Sequence, residues 1–305
     1  MKPKTIERIL NKKFDTLLES IKDESVKKSI KKNTIITGGC IVSMLLKEPV
    51  NDYDLYFRNF ITAKKVAEYF LEVYKENKKA KGSFVPEMSV CDKGGRIRVA
   101  VGSAGVDSET SDHKDYRFFE TLDPGSPEQE GYIENVVEVI TKDNKDEEDK
   151  FRPIFLTSNA ITLSDKIQLI LRFYGEPDDI HKNYDFVHCT NYWTSWDKKL
   201  ILNKESLQSM ISRELIYSGS LYPICSVMRL RKFIERGWTI NAGQVFKICY
   251  QISKLNLDDP NVLYDQLLGV DVAYFYDLIC RLKSAEENKI DIDYIYICEL
   301  IDKIW

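Results

Sequence analysis

The sequence predicts an α+β chain: a small mixed or antiparallel sheet with helices in the N-terminal half, followed by an all-helical region. Three observations carry this. Up to about residue 180, short apolar runs bounded by glycine or turn residues alternate with amphipathic stretches. Beyond it, "NKESLQSMISRELIY", "YPICSVMRLRKFIERG", "NAGQVFKICYQISKL" and "DVAYFYDLICRLKSA" all keep apolar residues at helical spacing, with only short polar breaks between them. The 305 residues, 43% of them hydrophobic, suffice for one large domain or two ordinary ones with a substantial core.

Each element follows from its pattern. Ile6, Ile9, Leu10, Phe14, Leu17, Leu18 and Ile21 predict one packing helix over residues 5–30. Its outer face is basic, since residues 1–32 hold ten Lys/Arg against five Asp/Glu. "NTIITGG" reads as a short strand ended by glycines, "CIVSMLLKE" as a short helix and "NDYDLYFRN" as a strand. "TAKKVAEYFLEVYKENKKA" is an amphipathic helix opening at Thr62, and "GRIRVAVGS" a further strand. Residues 102–131, rich in Gly, Ser, Asp and Pro, read as a long excursion. "YIENVVEVITK" is a strand, and "IFLTSNAITL" a strand leading into a helix or turn. The expected organisation is an N-terminal helix (1–32), an α/β head (33–180) and a helical domain (181–305).

Composition narrows the function classes. A net charge of −4 supplies no global argument for nucleic-acid or membrane binding. The seven cysteines form no Cys-x-x-Cys pair, and the three histidines form no metal cluster. The scattered, odd-numbered cysteines suit reduced thiols. The N-terminus is too charged for a signal peptide, and no apolar run approaches the roughly 20 residues of a membrane span. The expected compartment is the cytoplasm of the protein's own cell or of a host cell. No feature signals an oligomeric state.

The chemistry concentrates in "TIITGGCIVSMLLKEPVNDYDLYF", residues 34–57. Side chains two apart in a strand share a face, so Asp52 and Asp54 project together with Tyr53 opposite. Two carboxylates on one face repel unless a positive charge lies between them. Mg²⁺, with Mn²⁺ as the alternative, meets that need, as one ion or as a pair about 3.5–4 Å apart. Gly38 and Gly39 let backbone approach a phosphate closely, the following helix offers its N-terminal amides, and Ser43 adds a hydroxyl. A lone Asp-x-Asp is more often a solvated strand face. The ordered set of strand, Gly-Gly, short helix and Asp-x-Asp strand is more specific.

That set resembles the signature of the polymerase-beta-type nucleotidyltransferases. The resemblance is strongest to class II tRNA nucleotidyltransferases and bacterial poly(A) polymerases, whose pattern is Gly-Gly-x-Val-Arg-Asp, a Leu-Leu pair, then Asp-x-Asp. Further segments agree in order over residues 33–240. "VVEVIT" (136–141) is similar to the family's carboxylate-bearing strand, which makes Glu138 the third acidic group. "LTSNAITL" (156–163) is similar to Phe-Thr-Ile-Asn-Ala-Leu and implies a nucleotide contact at Asn159. "SDKIQLILRFYGEPDDI" (164–180) is similar to the hairpin that follows, and "YPICSVMRLRKFIERGWTI" (222–240) to a helix ending in Arg-Phe, with Arg231 matching that Arg. The resemblance implies a palm-like head with a helical neck, an NTP substrate, and an RNA 3′ end as acceptor. Asp52, Asp54 and Glu138 would hold the metals and carry catalysis, with Gly38, Gly39 and Ser43 on the phosphates.

The chain also departs from that pattern. Val42-Ser43 replaces Arg-Asp, and Pro153, Ile154 and Phe155 replace Arg-Arg-Asp. Tyr222 and Cys225 stand where an Asp and an Arg would read the nucleobase, so base selection is expected to be altered, with Tyr222 stacking on the base. Arg229, Arg231, Lys232 and Arg236 on one helix are candidate contacts to triphosphate or RNA, against the alternative of a solvated face. "HKNYDFVHCTNYWTSW" (181–196) reads as an aromatic inter-domain core in preference to a base-stacking platform. Two other functions stay open: a non-catalytic nucleotide- or RNA-binding protein, and a nucleotidyltransferase that modifies a protein.

Overall fold

Helix α1 (Pro3–Ser20) buries Ile6, Leu10, Phe14, Leu17 and Leu18, the stripe that its three- and four-residue spacing predicts. The helix expected over 5–30 is in fact two. Ile21 is extended, and Asp23 accepts hydrogen bonds from the backbone N–H of Ser25 and Val26. Those bonds satisfy orphan amides and start α2 (Glu24–Asn33). They also hold the Asp23 carboxyl below its usual range. The structure, a computed structural model, describes residues 1–80, 87–93, 95–102, 150–156, 160–257, 259, 262 and 266. The expected strand "YIENVVEVITK" and helix "DVAYFYDLICRLKSA" lie outside the described residues.

From α2 the chain enters β1 (Thr34–Thr37), α3 (Gly39–Leu46) and β2 (Tyr53–Phe57). Helix α4 (Phe60–Ala80) begins two residues before the expected Thr62, because the Asn59 side chain accepts from the Thr62 N–H. Strands β3 (Glu87–Lys93) and β4 (Arg96–Gly102) form an antiparallel ribbon turning at Gly95, where φ is +74°. Then come β5 (Pro153–Leu156), β6 (Ala160–Leu163), β7 (Ile167–Tyr174) and the short α5 (Pro177–His181). The segment "IFLTSNAITL" thus carries two paired strands, β5 and β6.

Two strands went unread in the sequence. Tyr192–Thr194 forms β8 and Leu200–Ile201 forms β9, inside the stretch assigned to helices. The main sheet has the order β5-β6-β7-β2-β1-β8-β9. It is mixed: β2 runs parallel to β7, and the remaining pairs are antiparallel. A run of only three residues, one of them a Trp, leaves too little alternation to mark a strand. Trp193 is nevertheless wholly buried, its ring centroid 5.1 Å from that of Phe14 and its Nε1–H donating to Asn11.

The described chain divides into two compact units. One comprises Met1–His181 with Asn191–Leu202, the other Lys182–Thr190 with Asn203–Trp305. The core of the first joins α1 to α4 with Leu55 and Phe57 of β2, Ile167, Leu169 and Leu171 of β7, and Trp193. In the second, Asn203 and Asn241 cap α6 (Lys204–Ser212) and α8 (Ala242–Ile252), and α7 (Pro223–Glu235) opens with proline, which has no N–H to lose. Rings of Phe186, His188, Tyr217, Phe233 and Trp238 pack together in that unit. The "HKNYDFVHCTNYWTSW" stretch is therefore divided: His188 belongs to the second unit, and Tyr192 and Trp193 to the sheet of the first.

Candidate active site

The site grows from the ends of two neighbouring strands. β1 is fully buried and stops at Gly38, whose φ of +96° and ψ of −153° suit glycine alone. Gly39 then opens α3, so the first amides of that helix emerge where β1 ends. A Cβ built on Gly39 would meet no heavy atom within 4 Å. Packing does not demand glycine there, and the open space suits the close approach of a phosphate. Ser43 lies one turn further along α3 and is buried.

On the adjacent strand, Asp54 pairs in register with Thr37, the residue before Gly38. Asp54 is half-buried. Asp52 is exposed and lies just before β2 rather than within it. The Tyr53 N–H donates to the Lys166 carbonyl at 2.7 Å, which fixes the backbone between the two carboxylates. The alternation holds where it matters. Tyr53 packs on the core with Leu55 and Phe57, while Asp54 has the opposite sense. Burial, then the neighbouring Cys40, push the Tyr53 phenol up from its usual range. On the other side of β2, Gln168 of β7 pairs with Asp54.

Three further residues at this end of the sheet were not singled out as site residues. Thr37 Oγ1 donates to the Asn191 carbonyl at 2.9 Å and lies 2.9 Å from His181 Nε2. A hydroxyl has one proton, so the second bond is donated by His181, which sets its tautomer as Nε2–H. Burial lowers the His181 pKa to about 4, with Asp178 opposing, so the imidazole is neutral at neutral pH. Its ring lies 5.6 Å from Tyr192, which pairs with Thr37 from β8. Burial first, then Asp178, raise the Tyr192 phenol. His181 therefore pins the end of β1, one residue from the Gly-Gly turn. Sequence separations of 144 and 154 residues left no local signal for these bonds.

The remaining candidates fall elsewhere. Glu138 and Asn159 lie outside the described residues. Arg229 and Arg231 are on α7 in the second unit, where Arg229 pairs with the buried Asp185 and Arg231 with Glu235 at 2.9 Å. The stacking role expected of Tyr222 does not hold. Its side chain is buried at the start of α7, and the Cys225 thiol donates to the Gln266 carbonyl at 2.7 Å. Asp52 and Asp54 supply the oxygen donors that a hard divalent cation prefers. Among the described residues no group of three or more His, Cys, Asp or Glu could hold a metal. Of the three carboxylates expected from the sequence, Asp52 and Asp54 are the two among the described residues.

Residues 8–213 match the family model described as Gabija anti-defense 2 family protein. The chain belongs to the Gabija anti-defense 2 family. The match takes in the Gly-Gly turn, both aspartates and every strand of the main sheet. The Gabija anti-defense 2 protein of Bacillus phage SPbetaL7 is 26% identical over 141 residues, 46% of this chain and 33% of that one. The matched stretch spans about a third of that relative's length. Among solved structures, the chain is similar to the Thermotoga maritima CCA-adding enzyme complexed with tRNA, at 10% identity over 90% of this chain and 53% of that one, with a TM-score of 0.38. It is also similar to the Bacillus stearothermophilus CCA-adding enzyme in complex with CTP, at 11% identity over 87% and 51% of the two chains, again with a TM-score of 0.38. Likenesses this distant decide nothing about the activity of a Gabija anti-defense 2 family member. No helix among the described residues is long and apolar enough to cross a membrane.

Proposed function

We propose that this Gabija anti-defense 2 family chain is a metal-dependent nucleotidyltransferase, moving a nucleoside monophosphate from an NTP to a hydroxyl and releasing pyrophosphate. The observation that carries the reading is the register of Thr37 with Asp54. It sets a glycine-led helix start beside Asp54, with Asp52 two residues earlier in the chain. A triphosphate needs both: amides to receive its anionic end, and a means of neutralising charge where the bond breaks.

The chain's residues divide the work. Backbone amides of Gly38 and Gly39 receive the terminal phosphates, and Ser43 lies on the same helix. Asp52 and Asp54, with Glu138 as the third carboxylate, hold Mg²⁺ or Mn²⁺. When bound, the metal neutralises phosphate oxygens and makes the attacking hydroxyl more acidic. The hydroxyl oxygen bonds to the α-phosphorus, the bond to the β-phosphate oxygen breaks, pyrophosphate leaves, and the hydroxyl proton passes to solvent. His181 keeps Thr37, and with it the glycine turn, in place for this step. The proposed acceptor is an RNA 3′ end, with Asn159 as a nucleotide contact. The family name supplies the setting: transfer serves to blunt a Gabija defence.

The test pairs chemistry with biology. Purified protein is incubated with mixed NTPs, Mg²⁺ and cellular RNA, pyrophosphate release is followed, and extended products are sequenced. The same wild-type and Asp54→Asn genes are then expressed in Gabija-bearing cells challenged with phage. Pyrophosphate release and phage rescue by wild type alone support the reading. Rescue by both proteins supports the second one, a non-catalytic binder, which is favoured by Val42-Ser43 replacing Arg-Asp and by the burial of Tyr222 and Cys225. Label transferred to protein in place of RNA moves the acceptor to a polypeptide hydroxyl.

A further inference from the structure

Helix α8 presents a surface that packing among the described residues does not explain. Ile248 is its one buried residue, whereas Phe246 and Tyr250 are 70% and 56% exposed. These two rings lie one helical turn apart and nearly parallel, with centroids separated by 6.4 Å and planes inclined by 16°. Tyr250 also lines an open hollow of about 420 Å³ together with Tyr217, Gly219, Lys247, Gln251 and Lys254, all within the second unit.

The wall is already held together from within. Tyr217 Oη donates to Gln251 Oε1 at 2.6 Å, and the same oxygen receives the Ser220 N–H at 3.2 Å. The charge that faces a ligand comes from the lysines. Lys247 Nζ rests 3.4 Å from Gln244 Oε1, and Lys254 Nζ sits 4.1 Å from the Tyr250 ring centroid. Among the described residues neither lysine has a carboxylate partner, while Asp258 and Asp259 follow Lys254 in sequence and Asp185 acts on the Tyr217 phenol. Gly219 has a φ of +109°, and a Cβ there would meet nothing within 4 Å, so that side is open. The hollow thus offers two ammonium groups and is edged by exposed aromatic faces.

We propose that this hollow binds a nucleoside phosphate through residues of the second unit alone. Aromatic faces stack on any base, and ammonium groups receive phosphate without a metal. The base takes the Tyr250 face now held by Lys254. An exposed cation–π contact on a flexible side chain is readily given up. The freed ammonium then joins Lys247 on the phosphate. The inference does not depend on the chemistry assigned to Asp52 and Asp54, so either can fail alone.

The experiment is equilibrium dialysis of ATP against the full-length Asp54→Asn protein in EDTA, where binding through a metal at the first site is silenced. One equivalent should bind. Tyr250→Ala, and separately Lys247→Gln with Lys254→Gln, should weaken it tenfold or more, while Tyr250→Phe should retain it. Melting curves establish that each variant is folded, and the double lysine variant carries the test if Tyr250→Ala is not. No binding in EDTA, or equal binding by the variants, overturns the proposal. Inorganic triphosphate binding as tightly as ATP removes base recognition and overturns it as well. An unpaired oligonucleotide that outcompetes ATP base for base overturns the small-molecule assignment in favour of a strand.

Discussion

Replacing each glycine of the Gly38-Gly39 pair by alanine separates backbone strain from ligand access. At Gly38 the obstacle is the backbone: φ +96° and ψ −153° lie in a region that side chains avoid. Forcing alanine into it costs about 1–3 kcal/mol. At roughly 2–4 °C per kcal/mol for a protein of this size, Gly38→Ala should lower Tm by about 2–12 °C. At Gly39 the backbone is helical and the added Cβ meets no heavy atom within 4 Å. Gly39→Ala should leave Tm unchanged, or raise it slightly through the roughly 0.4–1 kcal/mol that Gly→Ala gains at compatible sites. Its effect should fall on the substrate. If the methyl group stands where a phosphate approaches, two charge-assisted amide bonds weaken, together worth roughly 3 kcal/mol, or about a hundredfold in kcat/KM. Calorimetry and steady-state pyrophosphate release measure the two effects separately. A Gly39→Ala protein that turns over as well as wild type would refute the phosphate cradle. A Gly38→Ala protein with wild-type Tm would refute the backbone argument.

Asp52→Asn and Asp54→Asn should each abolish transfer while the variants remain folded, as pyrophosphate release and melting curves would show; retained activity in both sinks the metal assignment. Arg229→Met leaves the Asp185 carboxylate, 6% exposed, without its cation. Breaking a fully buried pair costs about 3–5 kcal/mol, and with Arg229 38% exposed we expect about 1–2 kcal/mol by urea denaturation; a neutral result means the pair is solvent-screened. Burial, helped by Arg236, lowers the His188 pKa to about 3, and its ring nitrogens have no hydrogen-bond partner among the described residues. The folded value is depressed below the ordinary 6.5, so the unfolded chain binds the proton first as pH falls. Stability is then full above about pH 6.5 and declines toward pH 3, by on the order of a few kcal/mol, with His181 adding the same sense down to about pH 4. Tm should fall between pH 7 and 4.5, and His188→Phe should flatten that limb; a flat wild-type profile contradicts the burial of neutral imidazoles.

Local patterns were legible wherever one residue's neighbours in sequence decide its state. The amphipathic stripe of α1, the four-residue strand stopped by Gly-Gly and the alternation from Tyr53 to Phe57 are all short-range facts. The break between α1 and α2 was also written locally, in the Asp23 side chain ahead of Glu24 and Ser25, although the apolar period ran across it and hid it. Two-residue periodicity placed Asp54 on β2, whereas Asp52, expected on the same strand, lies just before it.

Other features depended on partners far away in the chain. β8 has three residues and no clear alternation, and it is a strand because the edge of β1 offers it hydrogen bonds. The parallel pairing of β2 with β7 places Gln168 beside Asp54 across more than a hundred residues. His181, Thr37 and Asn191 meet only after β1, β8 and α5 have docked. Tyr222 looked available for stacking in sequence and is buried once α7 packs. By itself the sequence determined which side chains share a face and where glycine permits a turn, because periodicity and backbone sterics act over a few residues. Only the tertiary structure decided which strand edges pair and which polar groups close each other's hydrogen bonds, because those choices depend on burial shared by segments that local pattern does not connect.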